Sequence, residues 1–487
     1  MVVTLFGLII AALGGFLVFR GGVMNLLLLV MGCMLLGGSA ALILPALGGS
    51  SIPPAQFALL FGVARIILPG SQRLARAQQA VQANFFLTIY CLYGVVAATF
   101  APRFFRNQMY VPPMRGTGKS ESLFETVALA PSPQNITTSV YMIGSLLAAI
   151  VAFTAMQEKN SGLRFVKMAV IIAWIHIALG VSAALLKGTP FDLFIDFMRN
   201  ANYTQTDQTV FGLVRLTGIF TEPSAYASFA FGWFVFLIEC WLRDVLPRRT
   251  GWAAAAMGTV LFCSTSSTAY VALGGYAAIF CFRLLLTPRF VSPKKGLALG
   301  GVVLLILILS SAAAFLFPSV LDLITTILQA ATVGKQNSDS ALQRGFWARS
   351  GLDAFVASYG VGIGPGSFRS SSFATAMLGS VGVIGTLAMA GHLVRTFKPL
   401  RISTYCGAQD ASRFGLETMI GAAAGWAAVS VLIPASVASP TCDPGTDFAI
   451  FTAVALALRR PLITARQRND ATISPNARAR ATTANRI

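Results

Sequence analysis

Charge is scarce in this chain, and negative charge scarcer still. Of 487 residues, 17 are acidic and 36 are Lys or Arg, so 11% are charged against 55% hydrophobic. A soluble domain carries about 25% charged residues, so that class is excluded. Histidine is rarer: His176 and His392 are the two in the chain. Each falls in an apolar run, where a polar side chain more often bonds a neighbouring helix than does chemistry. The seven cysteines (33, 91, 240, 263, 281, 406 and 442) form no CxxC pair and no metal spacing. They read as small core residues and not as a disulfide framework or zinc site. The chain has no HExxH, GxSxG or Walker motif and no carboxylate cluster of metal spacing, so no metal or cofactor is expected.

Apolar runs of span length fill the space that charge leaves. They fall at Met1–Phe19, Val23–Leu44, Ile52–Leu68, Phe85–Phe100, Val140–Met156, Phe165–Leu186 and Ala225–Leu242. The series continues at Trp252–Cys263, Tyr270–Leu286, Leu297–Phe317, Phe373–Val394, Met419–Pro434 and Phe448–Leu458. The expectation is an all-α polytopic membrane protein with 12–13 transmembrane helices over residues 1–458. The first run lacks a basic n-region and another span follows it, so it reads as a retained helix and not a cleaved signal. Residues 71–82, rich in Arg and Gln, read as a polar helix. The tail 459–487 is basic, polar and of disordered composition.

The net charge of +19 must be located before it is interpreted. With the basic tail in the cytoplasm, alternation of spans puts Arg20, Arg73, Arg76, Lys159, Arg243, Arg248, Arg249, Lys294, Lys295 and Arg395 inside as well. Most of the charge is thus topology signal and attraction to anionic lipid, not nucleic-acid binding. Outer loops are expected at 102–138, 187–224 and 318–371, the last two being the large ones. Against the rule, Arg199, Arg215, Arg344, Arg349 and Arg369 fall outside. Anionic groups at the outer surface would retain such cations, since Arg forks bind phosphate oxygens in pairs; long loops also translocate regardless of charge.

The loop 187–224 carries the densest polar chemistry. Its core is Arg215-Leu-Thr-Gly-Ile-Phe-Thr-Glu222-Pro-Ser224. Pro223 suits the first turn of a helix, and Glu222 would lie at that helix's positive end. The plain alternative is an interfacial Arg–Glu pair anchoring a helix end. Apolar residues at helical spacing in 191–198 and 320–328 suggest amphipathic helices lying on the outer interface. Further on come Asp339, Arg344, Arg349 and the string Gly360-Val-Gly-Ile-Gly-Pro-Gly366, which ends at Arg369. Such glycines let a backbone approach a ligand and offer N–H groups to anions, but without a preceding strand they do not mark a nucleotide site.

Arg215–Ser224, Ser264-Thr-Ser-Ser-Thr-Ala-Tyr270, Ser338-Asp-Ser-Ala-Leu-Gln-Arg344 and Gly360–Gly366 occur in this order. The pattern resembles the O-antigen ligase and Wzy-type polysaccharide polymerase superfamily over about residues 165–400, and the Glu-Pro-Ser variant looks closer to exopolysaccharide polymerases. The resemblance implies a GT-C-like fold with a large outer loop over a lipid-facing cavity. It implies metal-independent glycosyl transfer from an undecaprenyl-diphosphate-linked oligosaccharide at the bacterial inner membrane, with a flippase and chain-length or export proteins as partners. One departure is plain: many members carry Arg where this chain has Ser266-Ser267-Thr268.

On that reading Arg215 and Arg344 stabilise the departing diphosphate, with Arg349 and Arg369 in support. Glu222 is the first choice to accept the acceptor proton and Asp339 the second, while Ser224 belongs to the substrate site. A ligase acting on a terminal acceptor uses the same donor chemistry and stays open. A flippase would need polar residues inside several spans, and a transporter an inverted repeat; the spans read as nearly charge-free and no repeat is evident.

Overall fold

The computed structural model describes residues 2–45, 49–69, 73–115, 124–201, 209–210, 213–287, 291–316, 339–397 and 415–458. The chain is mostly helical, and seven described helices are long and apolar enough to cross a membrane. In order, the helices are α1 (Leu5–Arg20), α2 (Val23–Cys33), α3 (Pro54–Ile67), α4 (Arg73–Ala83), α5 (Phe85–Phe104), α6 (Pro133–Ala155), α7 (Ser161–Leu185) and α8 (Phe191–Met198). Then come α9 (Pro223–Leu242), α10 (Pro247–Cys263), α11 (Ser267–Leu286), α12 (Pro293–Leu316), α13 (Asp339–Ala357), α14 (Phe373–Phe397), α15 (Leu416–Ser430), α16 (Leu432–Ala438) and α17 (Thr446–Ala457). The expected amphipathic helix at 320–328 and the tail 459–487 lie outside the described residues.

Every expected apolar run contains a helix, but not every one is a full span. Long and apolar enough to cross, among the described residues, are α5, α6, α7, α9, α11, α14 and the α15–α16 pair; α1, α2, α3 and α17 are apolar but shorter. The run Val23–Leu44 is the clearest correction. Its helix stops at Cys33, and Leu42–Leu44 instead forms the middle strand of a small antiparallel sheet between Val2–Val3 and Ser50–Ile52. Gly37 and Gly38 break the helix because the 217–220 segment is laid against them. A Cβ on Gly38 would meet the Ile219 carbonyl, and one on Gly37 would meet the Phe220 ring.

The expected loops also hold more order than polarity suggested. Helix α6 begins seven residues before the apolar run, at Pro133, because Ser132 and Asn135 form a reciprocal capping box. Residues 339–357 inside the large second loop form α13, and 191–198 form α8 as expected.

Helix α9 is central and mostly buried: Phe165, Trp233, Phe236 and Phe451 stack around it from α7, α9 and α17. At 12 residues α17 spans about 18 Å, well short of a hydrocarbon core of about 30 Å. The preceding loop 439–445 is tied to α5 and α6. Tyr90 Oη donates to the Cys442 carbonyl at 2.5 Å, and Ser145, near the middle of α6, donates to Asp443 Oδ1 at 2.7 Å.

Candidate functional site

Four helix beginnings meet at one cavity of about 950 Å³. Glu222, Pro223 and Ser224 come from the start of α9, and Ser266, Ser267 and Thr268 from the start of α11. Ser340, Gln343 and Arg344 come from α13, and Gly445, Thr446 and Asp447 from α17. A helix start presents unpaired N–H groups and a partial positive charge, so the starts of α9, α11 and α13 favour an anion, while that of α17 carries its own carboxylates. Neither Glu222 nor Ser266, the residues that precede α9 and α11, closes its helix with a side-chain cap. Arg215, Arg344 and Arg369 line the same space.

These groups arrive from far apart in the chain by distinct local devices. Arg215 Nη2 donates to the Thr265 carbonyl at 3.3 Å, which ties the 213–222 segment to the turn before α11. That turn holds Thr265 at φ +50°, a left-handed conformation that non-glycine residues rarely adopt. Burial pulls the Arg215 guanidinium below its usual proton affinity, the nearby Arg344 adds to this, and the Glu222 carboxylate opposes it. Ser224 Oγ donates to Glu222 Oε1 at 2.6 Å. On the far wall Arg369 lies 4.3 Å over the Trp347 ring, an arrangement that orients the guanidinium without neutralising it. Its backbone N–H is held by the Pro112 carbonyl, and Ser371 Oγ donates to the Arg344 carbonyl.

Of the residues expected from sequence, Arg215, Glu222, Ser224, Arg344 and Arg369 share the cavity, and Arg349 and Asp339 do not. Helical geometry explains both misses. Ser340, Gln343, Arg344 and Trp347 repeat at the spacing of one face of α13. Arg349 and Asp339 lie off that face and are exposed. Neither histidine reaches the cavity: His176 stacks on Tyr226 at 3.9 Å, and His392 is buried beside Phe448.

The glycine string is a scaffold and not an anion cradle. Gly360, Gly362, Gly364 and Gly366 all have φ between +79° and +92°. A Cβ on Gly364 would stand 2.6 Å from the Ala97 carbonyl, and one on Gly366 would overlap the Gln134 carbonyl. The N–H groups of Gly362, Ile363 and Gly364 are already taken by Ser358 Oγ and by the Gly379 and Ser380 carbonyls. The loop therefore docks against α5, α6 and the break in α14 at Gly382, and from there delivers Arg369 and Ser371. Gly366→Ala should cost at least about 1–3 kcal/mol from the backbone conformation alone. Thermal unfolding in detergent checks this, and an unchanged midpoint would contradict the scaffold role.

Sequence reading missed Asp443, Asp447, Gln56 and Trp347 in the lining. A signal for the first two was present in Asp443-Pro-Gly445-Thr-Asp447, a turn with Gly445 at φ +88° that opens a helix. Desolvation pushes the half-buried Asp443 carboxyl up to about 6 and the neighbouring Asp447 adds to this, although Ser145 and the Gly445 N–H both bond it. Among the described residues no group of three or more His, Cys, Asp or Glu is placed to hold a metal ion. Comparison with family models, with curated proteins and with solved structures finds no match to this chain.

Proposed function

We propose that this chain is a membrane glycosyltransferase that polymerises undecaprenyl-diphosphate-linked oligosaccharide units at the outer face of a bacterial inner membrane, in exopolysaccharide or O-antigen synthesis. The observation that carries the reading is the convergence of Arg215, Arg344, Arg369 and open helix starts on one cavity. A departing lipid diphosphate leaves charge on phosphate oxygens, and fixed cations with aligned N–H groups lower that barrier. Three of the motifs behind the resemblance meet there, and the fourth, the glycine string, supports the loop that brings Arg369. The missing arginine of the Ser266-Ser267-Thr268 motif is offset by Arg215, which bonds the turn just ahead of it. The lining segments also share one side under the alternation that charge dictates, which is the outer side.

The chemistry needs little beyond placement, because the diphosphate is already a good leaving group. Arg215 and Arg344 hold it, Arg369 on Trp347 extends the cationic wall, and Glu222 with Ser224 keeps Arg215 oriented. Cells lacking the chain should accumulate single lipid-linked repeat units at the outer face and make no long polymer, and expression of the wild type should restore chain length. Polymer of unchanged length and amount in the deletion would end this reading. Normal polymer that fails to join its terminal acceptor would replace it with a ligase.

A further inference from the structure

Besides its cations the cavity carries carboxylates. Glu222 and Arg344 act on Arg215, while Asp447 acts on Asp443. Asp443 and Asp447 line the cavity together with Gln56, Ser439 and Thr446. A diphosphate would be repelled there, so this side must serve something else. We propose that Asp443 takes the proton from the acceptor hydroxyl, and that Asp443 and Asp447 together form a pocket for an uncharged, hydroxyl-bearing sugar. The assignment rests on the transferase reading above.

Geometry supports the role. The loop carrying Asp443 is pinned by Tyr90 and Ser145, and Asp443 lines the cavity. Ser145 and the Gly445 N–H occupy two acceptor positions, and an ionised carboxylate offers about four. Room for a sugar O–H remains. An independent sign of a ligand is Ser266, which lines the same cavity, is 1% exposed and has no hydrogen-bond partner for Oγ among the described residues. Glu222 is otherwise engaged, since Oε1 accepts from Ser224 and its charge acts on Arg215. A half-buried carboxyl that titrates near 6 is well matched to take a proton at neutral pH.

In the step, Asp443 receives the hydroxyl proton as that oxygen bonds to the donor's anomeric carbon. The bond from that carbon to the diphosphate oxygen breaks, and the lipid diphosphate leaves with the electron pair. The proton then passes from Asp443 to water. The groups that face Asp443 are Cys442 and Asp447 from its own segment, Tyr90 and Cys91 from α5, and Tyr141 and Ser145 from α6. Of the carboxyls here, Asp443 must be ionised to act. Turnover should therefore be half-maximal near 6, rise above it and fall below it.

The test uses the full chain in nanodiscs, with lipid-linked donor extracted from cells lacking it, and follows oligomer formation from pH 5 to 8. Binding of undecaprenyl diphosphate is measured in parallel. Asp443→Asn keeps an oxygen for Ser145, and should lower turnover about 10²–10⁴-fold while diphosphate affinity stays within about twofold. Asp443→Glu should recover part of the rate with the acid limb displaced, and Glu222→Gln should keep that limb. Turnover of Asp443→Asn within about threefold of wild type, or loss of diphosphate binding along with turnover, overturns the assignment. Wild type that binds undecaprenyl diphosphate but transfers nothing from the extracted donor sinks the transferase reading itself.

Discussion

Arg215→Ala and Arg344→Ala should each lower turnover about 10²–10³-fold, roughly 3–4 kcal/mol of transition-state stabilisation, by analogy with removal of one fixed donor from a developing oxyanion. Both side chains line the cavity beside open helix starts, and each guanidinium lies in the other's field. Like charges held together without a ligand cost stability, which a dianion would relieve. Arg344→Ala should therefore be at least as heat-stable as wild type when empty, and both variants should gain less stability from undecaprenyl diphosphate. That pairing separates a site residue from a structural one, whose loss lowers both quantities. Arg215→Lys should recover only part of the rate, because an ammonium keeps the charge and loses the paired geometry. The double alanine variant should fall well short of the product of the single effects, since the two act on one group. Full turnover in both single variants would remove the donor site from this cavity.

The reason so much of this site was legible lies in where its residues sit along the chain. Arg215, Glu222 and Ser224 lie within ten residues of one another beside an apolar run, so local pattern alone marks them as a cluster at a helix start. Arg344 and Arg369 stand out because, on the expected topology, positive charge on the translocated side needs a reason. The same rule picked Arg349 and missed nothing about its chemistry; only the helical phase of α13 shows that it faces elsewhere. The place of Asp443 is hidden for a different cause. It lies 298 residues from Ser145, the partner that holds it in place, and a lone aspartate in a Pro-Gly turn gives no hint that the turn is tied to α6. The helical class followed from composition, but the end of α2 at Cys33 did not. Hydropathy continues through Leu44, and the break depends on a tertiary contact with Ile219 and Phe220.

A second large effect is expected far from the cavity, at Glu239. The spans read as nearly charge-free and Arg243 as an inner-surface cation, but Arg243 is 1% exposed and Glu239 is fully buried. Glu239 accepts from Arg243 and Arg283, and from Tyr276 Oη at 2.6 Å. The Arg283 guanidinium also lies 3.7 Å over the Trp426 ring, so the cluster joins α9, α11 and α15. Removing one partner of a buried ion pair strands the others, at about 3–5 kcal/mol. Glu239→Gln strands two guanidiniums, and should sharply reduce monodisperse protein extracted in mild detergent. The loss should be partly reversed by adding Arg283→Met, because one buried guanidinium instead of two then lacks the carboxylate. Helices α9 and α11 both end at this clamp and both begin at the cavity, with Glu222 and Ser266 at their starts. Fixing one end of two rigid helices fixes the spacing of the other, so the Glu239→Gln protein that does fold should bind undecaprenyl diphosphate more weakly without any change to a residue that touches it. Wild-type affinity and yield in that variant would show that the clamp neither stabilises the fold nor sets the site.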